Sequence, residues 1–215
     1  MTGALILAGG RGERLGERKP LLTLGGRSLI SYVLEAAMEF SDEVYVVADE
    51  EDLSLLRGRL PVQVKVVGDI TPRRGPLLGI YSGLRALGSE YSVVLPCDSP
   101  FIRIEVMRYL IGKAEGFDAA VPLWPNGYIE PLHSVYRVRA ALRAAEEALG
   151  EGELRVRGMV ERLGRVEYVP VEELKRFDPR LLTFFNVNSP ADLRAAESLL
   201  STGGGGVKVD VSNIG

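Results

Sequence analysis

Cysteine and histidine are almost missing from this chain: Cys97 and His133 are the sole examples of each among 215 residues. A lone cysteine excludes an internal disulfide framework and any multi-cysteine zinc or iron–sulfur site, and a lone histidine excludes a polyhistidine metal centre. Excess positive charge is missing too. The 26 Lys and Arg residues are outweighed by 29 Asp and Glu, for a net charge of −3, which argues against a dedicated nucleic-acid binder. Long apolar runs are also lacking. The opening run Thr2-Gly-Ala-Leu-Ile-Leu-Ala8 has no basic flank and is too short for a signal peptide or a membrane span, so the expectation is a cytoplasmic protein without a membrane anchor. What remains to do chemistry is carboxylates, lysine, arginine and backbone amides.

What the chain has in plenty is glycine, 25 residues of 215 against about 7% in average proteins. Aliphatic runs recur along the whole length, which excludes disorder as the reason and assigns the glycines to turns and close approaches. Gly3–Ala8 reads as a buried strand, followed from the N-cap Ser28 by a helix carrying Ile30, Val33, Leu34, Ala37 and Met38 at helical spacing. Further strands are expected at Glu43–Ala48, Val62–Val67 and Ser92–Leu95, with helices at Asp52–Arg57 and from Leu77 to Leu87. Gly88 is expected at the left-handed position that closes the second of these.

The second half gives strands Asp118–Pro122 and Glu130–Tyr136 around the turn Trp124-Pro-Asn-Gly127. A helix over Val138–Leu149, a helical stretch Arg155–Leu163 and strands Val166–Val169 and Thr183–Phe185 follow. A last helix starts from Ser189, Pro190 and Asp192 as N-cap, N1 and N3. This alternation predicts an α/β fold: a Rossmann-like, mainly parallel sheet covered by helices on both faces. Residues 1–200 are expected to form one domain, with 201–215 as a Gly-rich tail whose Val207–Val211 alternation leaves an edge strand open.

Directly after the first strand comes Leu7-Ala-Gly-Gly-Arg-Gly-Glu-Arg-Leu-Gly-Glu-Arg-Lys-Pro20, a glycine-rich loop with the cations Arg11, Arg14, Arg18 and Lys19. Consecutive glycine amides can form an anion nest, and guanidinium forks engage phosphate oxygens in pairs. The P-loop pattern is absent because no Gly-Lys-Ser/Thr ends the loop. The dinucleotide fingerprint fails because Leu15 stands where its third glycine belongs. A tight turn with solvated arginines is the competing reading of the loop alone.

This loop, together with Lys19-Pro-Leu-Leu, resembles the signature of nucleotidyltransferases that join a nucleoside monophosphate to a phosphorylated acceptor. Asp69 with Gly75-Pro-Leu-Leu-Gly-Ile80, Pro96-Cys-Asp-Ser-Pro-Phe101, Gly127-Tyr-Ile-Glu-Pro-Leu132 and Phe185-Asn-Val-Asn-Ser-Pro190 follow in order. Together they resemble the molybdenum cofactor guanylyltransferases as far as about Leu200. Gly12 departs from the pattern, since many relatives carry Ser there.

The resemblance implies transfer of GMP from GTP to the phosphate of molybdopterin cofactor, with release of pyrophosphate and with Mg²⁺ as cofactor. It assigns the metal and the nucleotide phosphates to Asp98, charge neutralisation to Lys19 and the pyrophosphate clamp to Arg14. It gives nucleotide binding to Leu7, Ala8, Gly9, Gly10 and Asp69, with a weaker alignment at Asp49, and acceptor binding to Gly75, Gly79, Asn186 and Asn188. A carboxylate at Asp69 can accept from guanine N1–H and N2–H₂, although Asp before a loop is also a routine turn residue. Local capping competes for Asn188, a strand-end turn for Asp98 and a solvated surface position for Lys19. Arg11 and Arg18 read as solvated charges.

No general base is expected. The attacking phosphate monoester, with a second pKa of about 6, is already ionised at neutral pH, so His133 and Cys97 read as packed strand residues. CTP as donor, adenosylcobinamide phosphate as acceptor, or a non-catalytic nucleotide-binding regulator are the competing functions. Partners are expected to be the two small-molecule substrates, with transient contacts to proteins that deliver or receive the cofactor; oligomeric state stays open.

Overall fold

The computed structural model describes residues 1–8, 21–56, 58–68 and 75–201. Along β1 (Thr2–Leu7) alternate side chains enter two separate cores: Ala4, Ile6 and then Ala8 on one side, Leu5 and Leu7 on the other. The same alternation runs through β6 (Tyr91–Pro96), with Val93, Leu95 and then Cys97 opposite Val94. A strand buried on both faces needs a helical layer on each side, and the chain supplies both. One layer contains α1 (Leu29–Met38), α2 (Glu50–Leu56) and α4 (Ile104–Ala114). The other contains α3 (Pro76–Ala86), α5 (Val138–Gly150) and α6 (Val156–Val160).

The remaining sheet strands are β4 (Glu43–Ala48), β5 (Val64–Gly68), β7 (Ala119–Leu123), β8 (Ser134–Arg137) and β9 (Val166–Pro170). The two-residue strands β2 (Thr23–Leu24) and β3 (Arg27–Ser28) form a separate hairpin. The order across the sheet is β5-β4-β1-β6-β8-β7-β9. β8 alone is antiparallel to its neighbours, and the other six strands point one way. The expected mainly parallel sheet with helices on both faces is therefore the observed one. α7 (Val171–Leu174) and α8 (Pro190–Ser201) complete the described elements, with α8 and the hairpin sharing a third small core around Leu24, Leu29, Phe185 and Val187. No helix among the described residues is long and apolar enough to cross a membrane.

Several boundaries differ from the sequence reading, each for a tertiary reason. α4 has no counterpart in the sequence reading, and its N-cap, Arg103, offers no capping side chain. Instead the Arg103 amide donates to Thr183 Oγ1 at 3.2 Å, a contact 80 positions away. Thr183–Phe185 is not a strand. Leu182–Phe184 forms a 3₁₀ turn, entered through Leu181 at φ 51° and held by the Thr183 amide donating to Asp178 Oδ2 at 2.7 Å. Gly88 does not adopt a left-handed conformation; α3 ends in extended backbone at Leu87. The Gly88 and Ser89 amides both donate to Glu43 Oε1 at 2.9 Å, so a carboxylate from β4 replaces the expected glycine closure. The strand expected at Glu130–Tyr136 begins only at Ser134, and the strand expected from Val62 begins at Val64. α6 covers Val156–Val160 of the longer helical stretch.

Ser189 and Asp192 cap α8 reciprocally as expected. Asp192 N–H donates to Ser189 Oγ, and Asp192 Oδ2 accepts from Ser189 Oγ and from the Asn188 amide.

Helix α3 lies unusually near the sheet because residue 83 is glycine. A Cβ there would stand 2.8 Å from Leu5 Cδ2 and 2.9 Å from Val47 Cγ2. Gly83→Val is expected to destabilise the fold by about 2 kcal/mol through overpacking, despite the loss of a flexible residue from a helix. Urea denaturation checks this, and an unchanged midpoint would show that the helix can retreat freely.

Candidate functional site

Parallel polarity brings the carboxyl ends of β1, β4, β5, β6 and β7 to one edge of the sheet, where ligands of open α/β folds bind. Leu7 and Ala8 are there, built into the ladder: Cys97 N–H donates to Leu7 O at 3.1 Å and Ala8 N–H to Val47 O at 2.8 Å. Cys97 is buried in the core, as expected. Asp98 follows it, 6% exposed, with its backbone oxygen accepting the Val187 amide at 2.9 Å. That one bond brings the loop carrying Asn186 and Asn188 against the end of β6.

Gly75 is the N-cap of α3, with Pro76 at N1, and Gly79 is buried one turn further on. Gly75 is pressed against α6's approach, since a Cβ on it would meet Leu154 at 3.2 Å. Asp49 follows β4, and its Oδ1 accepts the Asp52 amide at 2.8 Å at the start of α2, so capping explains this residue on one oxygen. Asn188 is exposed and its backbone belongs to the α8 cap. Gly9, Gly10, Arg11, Gly12, Arg14, Arg18, Lys19 and Asp69 lie outside the described residues, as do the 202–215 tail and its alternating segment.

Beside Asp98 the structure assembles polar groups that the sequence reading did not connect. Ser99 Oγ–H donates to Asn186 Oδ1, and Ser99 Oγ lies 3.0 Å from His133 Nε2. Glu130 is three residues before His133, and its Oε1 accepts the Trp124 indole N–H at 2.7 Å. The Glu130–His133 turn is rigidly closed, because Glu130 O accepts both the His133 amide at 3.1 Å and Ser134 Oγ at 2.6 Å. Phe184, delivered by the 3₁₀ turn, packs edge-on to both His133 and Trp124, with centroids 5.3 and 5.9 Å away. The expected Trp124–Gly127 turn is present, with Gly127 at φ 83°. Pro-Cys-Asp-Ser-Pro and Glu-Pro-Leu-His are separate motifs in the sequence, and their meeting in space requires the fold.

Burial dominates the electrostatics. Glu130, 5% exposed, has its carboxyl pushed up to about 7 by desolvation, against the smaller opposing effect of the Trp124 hydrogen bond. His133, 1% exposed, is pulled down to about 3 by the same cause and is neutral at physiological pH. The 3.9 Å between Glu130 Oε2 and His133 Nδ1 is too long for a hydrogen bond, and a neutral ring makes no ion pair across it.

A carboxyl whose folded pKa exceeds its ordinary value stabilises the fold when protonated. Glu130's contribution is therefore complete below about pH 4.5 and is lost as pH rises through about 7. Glu130→Gln removes this dependence. Its stability relative to the parent is expected to improve by about 2 kcal/mol between roughly pH 5 and roughly pH 8. His133 contributes the opposite trend below about pH 6.5, equally in both proteins. Chemical denaturation at the two pH values checks this, and parallel profiles would show that Glu130 is ionised in the folded protein.

Residues 4–166 match the family described as MobA-like NTP transferase domain. A probable molybdenum cofactor guanylyltransferase from Methanosarcina mazei is 36% identical over 196 residues, covering 88% of this chain and 87% of that protein. Among solved structures, molybdopterin-guanine dinucleotide biosynthesis protein A from Archaeoglobus fulgidus superposes with a TM-score of 0.80 at 35% identity, over 93% of this chain and 99% of its own. The 4-diphosphocytidyl-2C-methyl-D-erythritol synthase from Anaerococcus prevotii, at 17% identity and a TM-score of 0.70 over 93% of this chain and 96% of its own, shares the fold. The motifs around Asp98 and Asn186, the polarity of the sheet and these likenesses converge on one result: the chain belongs to the MobA-like NTP transferase family, among the molybdenum cofactor guanylyltransferases.

Proposed function

We propose that this nucleotidyltransferase moves GMP from GTP onto the phosphate of molybdopterin, releasing pyrophosphate and forming the guanine dinucleotide form of the cofactor. The observation that carries the reading is the meeting of Asp98 and the Asn186 loop at the carboxyl edge of the sheet through the Val187-to-Asp98 backbone bond. It brings the backbone of the residue carrying the candidate metal carboxylate against the loop carrying the candidate acceptor amide, which supports the reading.

Mg²⁺ fits this donor set. Mg²⁺ characteristically takes one or two carboxylates together with substrate phosphates, and a single acidic residue such as Asp98 beside a nucleotide meets that requirement. Asp98 would hold it, and the bound ion would screen the charge shared by the two phosphate groups. In this reading the main chain of Leu7, Ala8, Gly9 and Gly10, with Asp69, receives the guanine nucleotide. Lys19 and Arg14 neutralise the phosphates, while Gly75, Gly79, Asn186 and Asn188 receive the acceptor. The acceptor phosphate arrives already ionised, so the work left is alignment and charge screening. A cytoplasmic setting, where GTP is abundant, suits the reaction.

Pyrophosphate release, measured with Mg²⁺, GTP or CTP, and molybdopterin or adenosylcobinamide phosphate, tests the proposal. Turnover is expected with GTP and molybdopterin, and Asp98→Asn is expected to lower it by about a hundredfold or more while circular dichroism stays that of the parent. Turnover with CTP and none with GTP overturns the donor assignment; undiminished turnover by Asp98→Asn overturns the metal role.

A further inference from the structure

We infer that Ser99 and His133 form a buried positioning pair that fixes which way round the Asn186 side-chain amide faces, presenting its NH₂ group to an anionic oxygen of the acceptor. The inference rests on the reading of Asn186 as an acceptor contact and adds two residues to it that carry no substrate contact themselves.

The direction of hydrogen bonding follows from counting protons. A serine hydroxyl has one hydrogen, and Ser99 gives it to Asn186 Oδ1. At its other contact, 3.0 Å from His133 Nε2, the hydroxyl oxygen must therefore accept, which requires the ring proton to sit on Nε2. A neutral imidazole carries one such proton, so Nδ1 is bare. Nδ1 indeed has no hydrogen-bond partner among the described residues, and Glu130 Oε2 stands 3.9 Å from it.

The chain of donors thus runs outward, from the His133 ring through Ser99 to Asn186. It ends on the amide oxygen, and Asn186 Nδ2 makes no hydrogen bond within the described residues. An asparagine amide that turns over would offer its oxygen instead and repel an anion. Holding Oδ1 inward prevents this, and both groups that hold it are locked. Ser99 is fully buried. His133 is fixed by the Glu130–His133 turn, by its edge-on contact with Phe184 and by near-complete burial. The Val187 amide on Asp98 O fixes the Asn186 backbone from the other side.

Because His133 is the only histidine, uniformly ¹⁵N-labelled protein reports a single imidazole ring alongside the asparagine side-chain amides. Nitrogen NMR of the substrate-free chain is expected to show the Nε2–H tautomer, and Ser99→Ala is expected to shift both that ring and the assigned Asn186 side-chain NH₂ signals. An Nδ1–H tautomer, or Asn186 signals indifferent to Ser99→Ala, overturns the inference.

Kinetics supply the second readout. In Ser99→Ala and His133→Phe, KM for molybdopterin is expected to rise about tenfold with KM for GTP unchanged, and His133→Gln, which keeps a donor near the Nε2 position, is expected to recover most of the loss. Equal changes in both KM values, or a Gln variant no better than Phe, would mark the pair as merely structural and overturn the inference. If the parent turns over with neither GTP nor molybdopterin, the functional reading fails, while the tautomer and the Asn186 shifts still decide the positioning pair.

Discussion

Six strands running in the same direction are the constraint on which the rest of this molecule depends. The four inner ones, β1, β4, β6 and β7, are buried on both faces, so their side chains are taken up alternately by two apolar cores and leave little room along them for polar chemistry. The polar groups that remain are displaced to the strand ends. Common polarity makes those ends coincide at one edge, which gathers Leu7 and Asp98, and the loop carrying Asn186 is bonded onto the same edge through Val187. The reversed strand β8 serves the same edge from the other direction. Its entry turn, rather than its exit, lies beside β6, and this is how Glu130 and His133 arrive next to Ser99.

That gathering is expensive. Asp98, Ser99, Glu130 and His133 are all nearly inaccessible, and each must be matched by a partner or left with a perturbed proton affinity. The structure divides the task. Ser99 and Trp124 satisfy neighbouring acceptors with hydrogen bonds, and Phe184 seals the cluster with an aromatic edge. The residual cost shows in the shifted affinities of Glu130 and His133, and in Leu181, whose left-handed backbone starts the turn that delivers Phe184. Retention of polar groups at one sheet edge therefore points to a demand other than stability.

Legibility in the sequence followed locality. β1, β4 and β6 were readable because apolar runs bounded by turns suffice to define them, and α8 because Ser189, Pro190 and Asp192 form a self-contained start signal. α4 has apolar residues at helical spacing, Val106, Met107, Leu110 and Ala114, yet its start is fixed by Thr183 rather than by its own cap. Gly88 misled for the converse reason: a glycine after an apolar stripe suggests a left-handed closure, while Glu43 on another strand supplies the acceptor. Asp98 and Asn186 were legible only through motif resemblance, which names residues without their couplings. Nothing in Pro-Cys-Asp-Ser-Pro or Glu-Pro-Leu-His by itself says that Ser99 and His133 share a hydrogen bond, because that contact spans 34 positions and depends on the reversed strand.

The proton affinities also bear on what kind of chemistry this edge supports. A histidine held down to about 3 is a weak base, and its bare Nδ1 faces a buried carboxyl rather than the opening of the sheet edge. Glu130 has one oxygen engaged by Trp124 and is itself buried. Neither group is arranged to take a proton from a substrate, since a catalytic base needs both an affinity near the working pH and an exposed lone pair within hydrogen-bond reach. Phosphoryl-group chemistry with an ionised phosphate as nucleophile makes no such demand, and its barrier falls through orientation and charge screening. A sheet edge that invests its buried polar groups in rigidity, leaving proton transfer unprovided for, is matched to that class of reaction.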